Sequence, residues 1–349
     1  MYMNKLSSAE RMRRFYNGQI IDRVPVFSCA TMYAGWEKGL TSEEFYFDVA
    51  KAFQAQKELY EEGYDDLPCY DLPHGEILDF GGELIINQTG RVSLPFVKRF
   101  PIDSLEEAWK YELPPMSERR YTKYYVKFLE YAEKQGQMGV SISAGSPFTM
   151  IGSMVDTGLL MRWLVKEPDV VHHLLNIAIN YLNESADLLI QKFGIERCSV
   201  SSNYPFESNC LISPKIFEKY AYPAMLKIHK DLRLKGLENF GIHLCGNHDK
   251  NMKFFKDLNL APGSFISSDE ANSLKVVAEI FGKDYIYAGN VSTKLLVNGT
   301  KQQVYQQSKN LIEEMRYNNF ILMPSCDLPI NAKAENLAAM LEASCDFSK

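Results

Sequence analysis

The chain of 349 residues has no long apolar run: no stretch approaches the roughly 18 uninterrupted apolar residues that a membrane span needs. It has no excess of positive charge. Lys and Arg total 38 against 44 Asp and Glu, a net charge of -6. With no long basic run either, nucleic acid or an anionic membrane is a poor candidate for the main partner. The G-x-G-x-x-G of dinucleotide folds and the G-x-x-x-x-G-K-[ST] of P-loop enzymes are missing, so a nucleotide-binding fold has little support. Residues 1–14 are polar and charged, without an apolar h-region, and no secretory signal is expected. The seven cysteines (29, 69, 198, 210, 245, 326 and 345) are odd in number and scattered. Together with the missing export signal, that predicts reduced thiols in a cytoplasmic protein rather than a disulfide framework.

What is present reads as an ordinary folded chain long enough for one large α/β barrel or two medium domains. Ser7 or Ser8 caps a helix reaching Asn17, with Glu10 in its first turn against the helix dipole. Val24–Ala30 reads as a first strand, with Pro25 near its start where a missing N–H is tolerated. Thr31–Trp36 reads as a loop of small and aromatic residues. Thr41 with Glu44 forms a capping box for a helix to about Glu61. Gly63–Tyr70 reads as a second strand. Residues 75–100 alternate and carry turn signals at Gly81-Gly82, Asn87 and Gly90, which predicts a β-hairpin excursion serving as a lid or rim. Ser104 caps a short helix over 105–111, and Pro114-Pro115 breaks the chain.

From Tyr121 onward helices and strands alternate. Helix 121–135 leads to strand 139–144 and the loop Gly145-Ser146-Pro147. Helices 149–164 and 168–193 precede strand 198–202 and the loop 203–209. Helix 214–235 precedes an apolar strand ending at His243. Helix 249–258, strand 264–268, a helix to Phe281, strand 285–290 and helix 301–316 follow. A strand from Phe320 and a helix over 334–344 close the chain. Eight strands, near residues 25, 65, 140, 199, 241, 265, 286 and 321, predict one (β/α)8 TIM-barrel domain over residues 1–349. It would carry an N-terminal helical extension and the 75–100 excursion. In such a barrel the C-terminal strand ends form the active face.

Phe240-Gly241-Ile242-His243-Leu244-Cys245-Gly246 is the stretch with the most chemistry in it. In a strand, residues two apart face the same way, so His243 and Cys245 would aim into one space. An imidazole beside a thiol suits zinc, which takes nitrogen and sulfur ligands tetrahedrally. Cys326 ends another apolar run, Phe320–Ser325, and is the candidate third ligand. The competing reading is a chance H-x-C with cysteines that are small core residues.

The sequence resembles the uroporphyrinogen decarboxylase superfamily, and within it the zinc-dependent corrinoid-linked methyltransferase branch, which includes the methylcobamide:coenzyme M methyltransferases. The matching pieces are Glu10-Arg11, Asp22-Arg23-Val24-Pro25-Val26, Gly145-Ser146-Pro147-Phe148, Ser213-Pro214 with Phe217 and Pro223, and His243-Leu244-Cys245-Gly246. Gly289-Asn290-Val291 and Cys326 followed by Glu335-Asn336-Leu337 complete them. The resemblance implies an eight-stranded barrel with zinc on His243, Cys245 and Cys326. It also implies a methyl group moved between a corrinoid and a small molecule. That molecule would be a thiol acceptor such as coenzyme M or a methoxy, methylamine or betaine-type donor. The corrinoid would arrive on a partner protein, because the chain lacks the D-x-H-x-x-G type motif of corrinoid carriers. The decarboxylase branch grips substrate carboxylates with an arginine-rich loop after the first strand. Here that loop, Ser28–Trp36, has no arginine, so bidentate carboxylate recognition is lost. Uroporphyrinogen decarboxylation and a non-catalytic zinc- or corrinoid-binding module remain the alternatives.

One histidine and two thiolates leave Zn²⁺ formally neutral with an open position, as in catalytic zinc sites. Such a set suits lowering the pKa of a substrate thiol while keeping its sulfur electron-rich, or polarising a leaving heteroatom. Glu207, in the loop after the fourth strand, is read as a fourth ligand, a base for a thiol proton, or a solvated loop carboxylate. Asn290 either faces the site or packs as a satisfied core amide. Tyr33 and Trp36 either stack on a substrate or corrinoid ring or pack in the ordinary way. Asp327 either orients a ligand or caps a turn. Asp249 reads as a helix cap. His74 reads as surface, Cys29 and Cys210 as buried small hydrophobes, and His172-His173 carry no assigned role.

Overall fold

The structure, a computed structural model, describes residues 6–144 and 146–347; Gly145 of the Gly-Ser-Pro-Phe match lies outside the described residues. Among the described residues eight strands form: β1 Glu83–Ile85, β2 Phe96–Arg99, β3 Val140–Ser143, β4 Cys198–Asn203, β5 Phe240–Leu244, β6 Phe265–Ser268, β7 Ile286–Val291 and β8 Asn319–Pro324. β3 to β8 make a six-stranded sheet in chain order, with helices between them, the α/β pattern of a (β/α)8 barrel. The antiparallel pair β1–β2 lies inside the 75–100 segment. By contact the chain divides into two compact units, Leu72–Asn87 with Leu94–Ala261, and Met1–Asp71 with Gln88–Ser93 and Pro262–Lys349.

In the first of these units β3, β4 and β5 pair in parallel, with Val140 opposite Cys198, Val200 opposite Phe240 and Asn203 opposite His243. The helix Pro168–Phe193 begins on its proline, whose missing N–H costs nothing at that position. It buries Val170, Val171, Leu174, Leu175, Ala178, Leu182 and Leu189 along one stripe. The expected helix 149–164 is two helices, Pro147–Ile151 and Thr157–Lys166. Ser146 caps the first and Asp156 the second. The expected helix 214–235 runs to Leu234 but widens into a π-turn at Phe217–Ala221. Pro223 has no N–H to give to the preceding turn, which accounts for the local slip in register. The helix expected over 249–258 shrinks to Met252–Lys256.

In the other unit β6, β7 and β8 pair in parallel, with Ala288 opposite Ser267 and Ile321. Ile286, Ala288, Ile321 and Met323 form a core cluster against Phe27 and Phe265, whose rings stack 6.4 Å apart. The two strands expected at 24–30 and 63–70 do not form ladders. Only one bridge, Val26 to Leu322, joins the first to β8. The reason lies in two consecutive aspartates. Asp65 Oδ2 accepts the Val26 N–H at 2.9 Å, and the Asp66 oxygens accept those of Ser28 and Cys29 at 2.6 and 2.8 Å. Carboxylates take the place that strand carbonyls would fill. Thr31–Trp36 is not a loop but the first six residues of a helix, Thr31–Glu37. Its Gly35 lies against Phe45, whose ring would be 2.5 Å from any Cβ there. The helix expected over 42–61 breaks at Asp48, which ends Ser42–Phe47 and caps Val49–Tyr60 by accepting from the Lys51 N–H.

Asp65 also anchors two buried cations. Arg11 Nη1 reaches it at 2.7 Å and Arg23 Nη1 at 2.8 Å, and Arg11 is further held by Asp22 at 2.7 Å. The Glu10-Arg11 and Asp22-Arg23 matches therefore include a structural knot that ties the first helix to the loop at 63–66. Asp65→Asn leaves two buried guanidinium groups short of a counter-charge, and urea unfolding is expected to show a loss of about 3–5 kcal/mol.

Candidate metal centre

β5 alternates cleanly: Phe240, Ile242 and Leu244 are buried, whereas Gly241 and His243 are half-buried. The ladder ends at Leu244, and Cys245 is held by other bonds. Its N–H donates to the His243 carbonyl at 3.2 Å, and that same oxygen accepts from the Tyr204 N–H at 3.2 Å. Gly246 follows with φ +79, and a Cβ there would stand 2.6 Å from Ser208 Oγ, so both backbone shape and space ask for glycine. Cys245 is left half-buried beyond the strand end.

β8 ends in the same manner. Pro324 is its last residue; the Ser325 N–H donates to the Val291 carbonyl at 2.8 Å, and the Leu328 N–H to the Cys29 carbonyl at 2.9 Å. Cys326 lies between these two ties and is half-buried. One ligand atom from each of His243, Cys245 and Cys326 lies within 4.8 Å of the others, a group able to hold a metal ion. One imidazole nitrogen and two sulfurs fit the donor set of a zinc site with a fourth position to spare.

Glu207 does not belong to that group. It is fully buried, which overturns the reading of a solvated loop carboxylate. Its carboxyl oxygens accept from the hydroxyls of Ser146 and, at 2.8 Å, Thr149, and its peptide oxygen accepts from Asn251 Nδ2 at 2.9 Å. Burial pushes its pKa up to about 8, so the group is mainly a neutral acid at pH 7. Asn290 is also buried. Its amide donates to the carbonyls of Asp269 at 3.2 Å and Asn272 at 2.9 Å. Tyr33 is 2% exposed, and burial with Glu37 and Glu62 nearby pushes its hydroxyl up to about 12. It packs in the ordinary way. Trp36 is half-buried with the Arg91 guanidinium 5.3 Å over its ring. Cys210 is exposed and Cys29 half-buried, so neither is the fully buried small hydrophobe expected. None of the seven cysteines is joined in a disulfide.

Several residues near these strand ends gave no signal in the sequence. His248 directly precedes the helix expected from residue 249. It is instead completely buried, with Nε2 3.1 Å from the carbonyls of Tyr204 and Cys245. Asp249 makes a local turn with Asn247 rather than capping a helix. Asp66 is pushed up to about 7 by burial, against the pull of the Ser28 and Cys29 N–H groups. The Cys29 thiol is raised by burial and then by Asp66, Asp327, Cys326 and Cys69, so the neighbourhood of Cys326 in its own unit is acidic. Asp71, also raised by burial, accepts from Thr31 Oγ1 at 2.8 Å.

The Glu207 assignment has a thermodynamic consequence. Its pKa is higher folded than unfolded, so between about 4.5 and 8 the folded state binds more protons and stability falls as pH rises. Glu207→Gln removes that dependence. Chemical denaturation is expected to find the variant gaining on the wild type from pH 5 to 9, by a few kcal/mol at most on the scale of ~1.4 kcal/mol per pKa unit. A parallel pair of pH profiles would contradict the assignment.

No curated protein matches the chain. Among solved structures, a methyltransferase from Methanosarcina mazei superposes with a TM-score of 0.74 at 21% identity, covering 98% of this chain and 99% of that one. A B12-independent methionine synthase from Shewanella sp. W3-18-1, in complex with selenomethionine, gives 0.49 at 14% identity over 87% and 89%. The model of the family described as uroporphyrinogen decarboxylase (URO-D) matches residues 7–347. The chain therefore belongs to the uroporphyrinogen decarboxylase family and has its α/β barrel fold.

Proposed function

We propose that this protein is a zinc-dependent methyltransferase that moves a methyl group between a corrinoid, carried by a partner protein, and a small molecule. The observation that carries the proposal is the group of one imidazole and two thiols within 4.8 Å. Its donor chemistry is that of zinc rather than of a hard, oxygen-seeking cation. Family membership is compatible with it, as is the fold shared with a protein named as a methyltransferase. Zinc held there would supply a Lewis acid that keeps a substrate sulfur as thiolate or polarises a leaving heteroatom.

The chain's own residues define the rest. His243, Cys245 and Cys326 would hold the ion. Glu207, neutral at pH 7, is suited to donate a hydrogen bond or a proton rather than to act as a base. Decarboxylation of a porphyrinogen with many carboxylates is disfavoured because residues 28–36 hold no arginine.

Purified protein is expected to contain about one zinc per chain, and Cys245→Ser or Cys326→Ser to lose both the metal and methyl transfer. The assay incubates methylcob(III)alamin, or the reduced corrinoid, with thiols and methylated amines of differing charge and follows the corrinoid spectrum. Methyl transfer that survives complete zinc removal, or turnover of uroporphyrinogen by the metal-free chain, would refute the proposal.

A further inference from the structure

We infer that His248 is the positioning residue that presents Cys245 to the metal. The inference rests on the zinc reading above. His248 is 0% exposed, and its Nε2 stands 3.1 Å from two backbone oxygens, those of Tyr204 and Cys245. Carbonyl oxygens only accept, so Nε2 must carry the proton, and one N–H is shared between the two. The ring is kept in place by Phe255, edge to face at 5.3 Å, and Phe255 in turn meets the Tyr204 ring at 4.9 Å.

The need for such a device follows from where the ladder stops. Beyond Leu244 the chain has left β5, and Gly246 turns it sharply with φ +79. Cys245 therefore sits on a turn past the last residue of β5, where bonds from the turn itself help to set its backbone. The His248 N–H fixes the Cys245 carbonyl from one side, while the Cys245 N–H is fixed by the His243 carbonyl from the other. The same N–H holds Tyr204, so the loop after β4 moves with Cys245. Further ties between the loops agree: the Asn209 N–H and Ser208 Oγ both donate to the Asn247 carbonyl, and Asn251 Nδ2 donates to that of Glu207. His248 thus acts through Cys245 without touching metal or substrate, in the manner of groups that orient metal ligands from behind.

His229 supplies the control. It is also buried and also attached to Tyr204, through the hydroxyl at 2.9 Å, but it makes no bond to Cys245. Zinc affinity by chelator competition and thermal stability are measured on the full chain for wild type, His248→Leu, His248→Gln and His229→Leu. Histidine nitrogen NMR on the wild type reads the His248 tautomer with and without zinc. The expected result is that His248→Leu weakens zinc binding about 10- to 100-fold. His248→Gln, whose amide can donate to the same carbonyls, restores most of it. His229→Leu lowers stability but leaves the affinity near wild type, and His248 carries its proton on Nε2 in both states. Unchanged affinity in His248→Leu, equal weakening in His229→Leu, or an Nδ1–H tautomer would overturn the inference. If His248→Leu does not fold, the glutamine variant, the His229 control and the tautomer still decide it. A wild type that binds no zinc but keeps the Nε2–H signature would instead defeat the parent reading.

Discussion

The Cys245 carbonyl and the Tyr204 carbonyl share the N–H of one buried imidazole, and the geometry after β5 follows from that arrangement. A zinc ion tolerates little error in the direction of its sulfur donors, yet the cysteine that would supply one lies beyond the last ladder bond of its strand. Backbone groups in that position still need partners. Here they are satisfied by His243, His248 and the chain around Asn247, all within ten residues of one another or of the β4 loop.

The same substitution of partners occurs at the start of the chain. Val26, Ser28 and Cys29 give their N–H groups to the carboxylates of Asp65 and Asp66 instead of to a strand. One of those acids is committed to Arg11 and Arg23, whereas burial lifts the other to about 7. Adjacent residues of identical type therefore take different roles. Asp65 is part of the scaffold, and Asp66 contributes to the acidic surroundings of Cys29. Glu207 illustrates the limit of this behaviour: its partners include the Ser146 and Thr149 hydroxyls but burial outweighs them, and it keeps its proton at pH 7.

These features explain what could be read from residues alone. Among the strands from β3 to β8, β5, β7 and β8 are largely apolar runs, and β3 and β4 alternate apolar residues with serine, so composition and period declare them. The helix Pro168–Phe193 does so by a continuous stripe at helical spacing, and the caps at Ser7, Thr41 and Ser104 by local chemistry. Spacing singled out His243, Cys245 and Cys326 because a strand's period of two and a terminal position need no knowledge of the rest of the chain. What escaped was every role set by distant partners. Asp65-Asp66 looks like a turn until Arg11 and Arg23 are brought to it. Glu207 looks solvated until Ser146 and Thr149 cover it. His248 looks like a helix start until two carbonyls converge on it. Thr31–Trp36 looks like a loop because its helix is short and held by contacts such as that of Gly35 with Phe45.

The most direct test of the central claim is X-ray absorption at the zinc edge of the loaded protein, recorded alone and with candidate methyl partners. The account predicts two sulfur donors at about 2.3 Å, one imidazole nitrogen at about 2.0–2.1 Å and a fourth position whose occupant changes when the partner is added. A shell with fewer than two sulfurs, or one that is unchanged in Cys326→Ser, would contradict it.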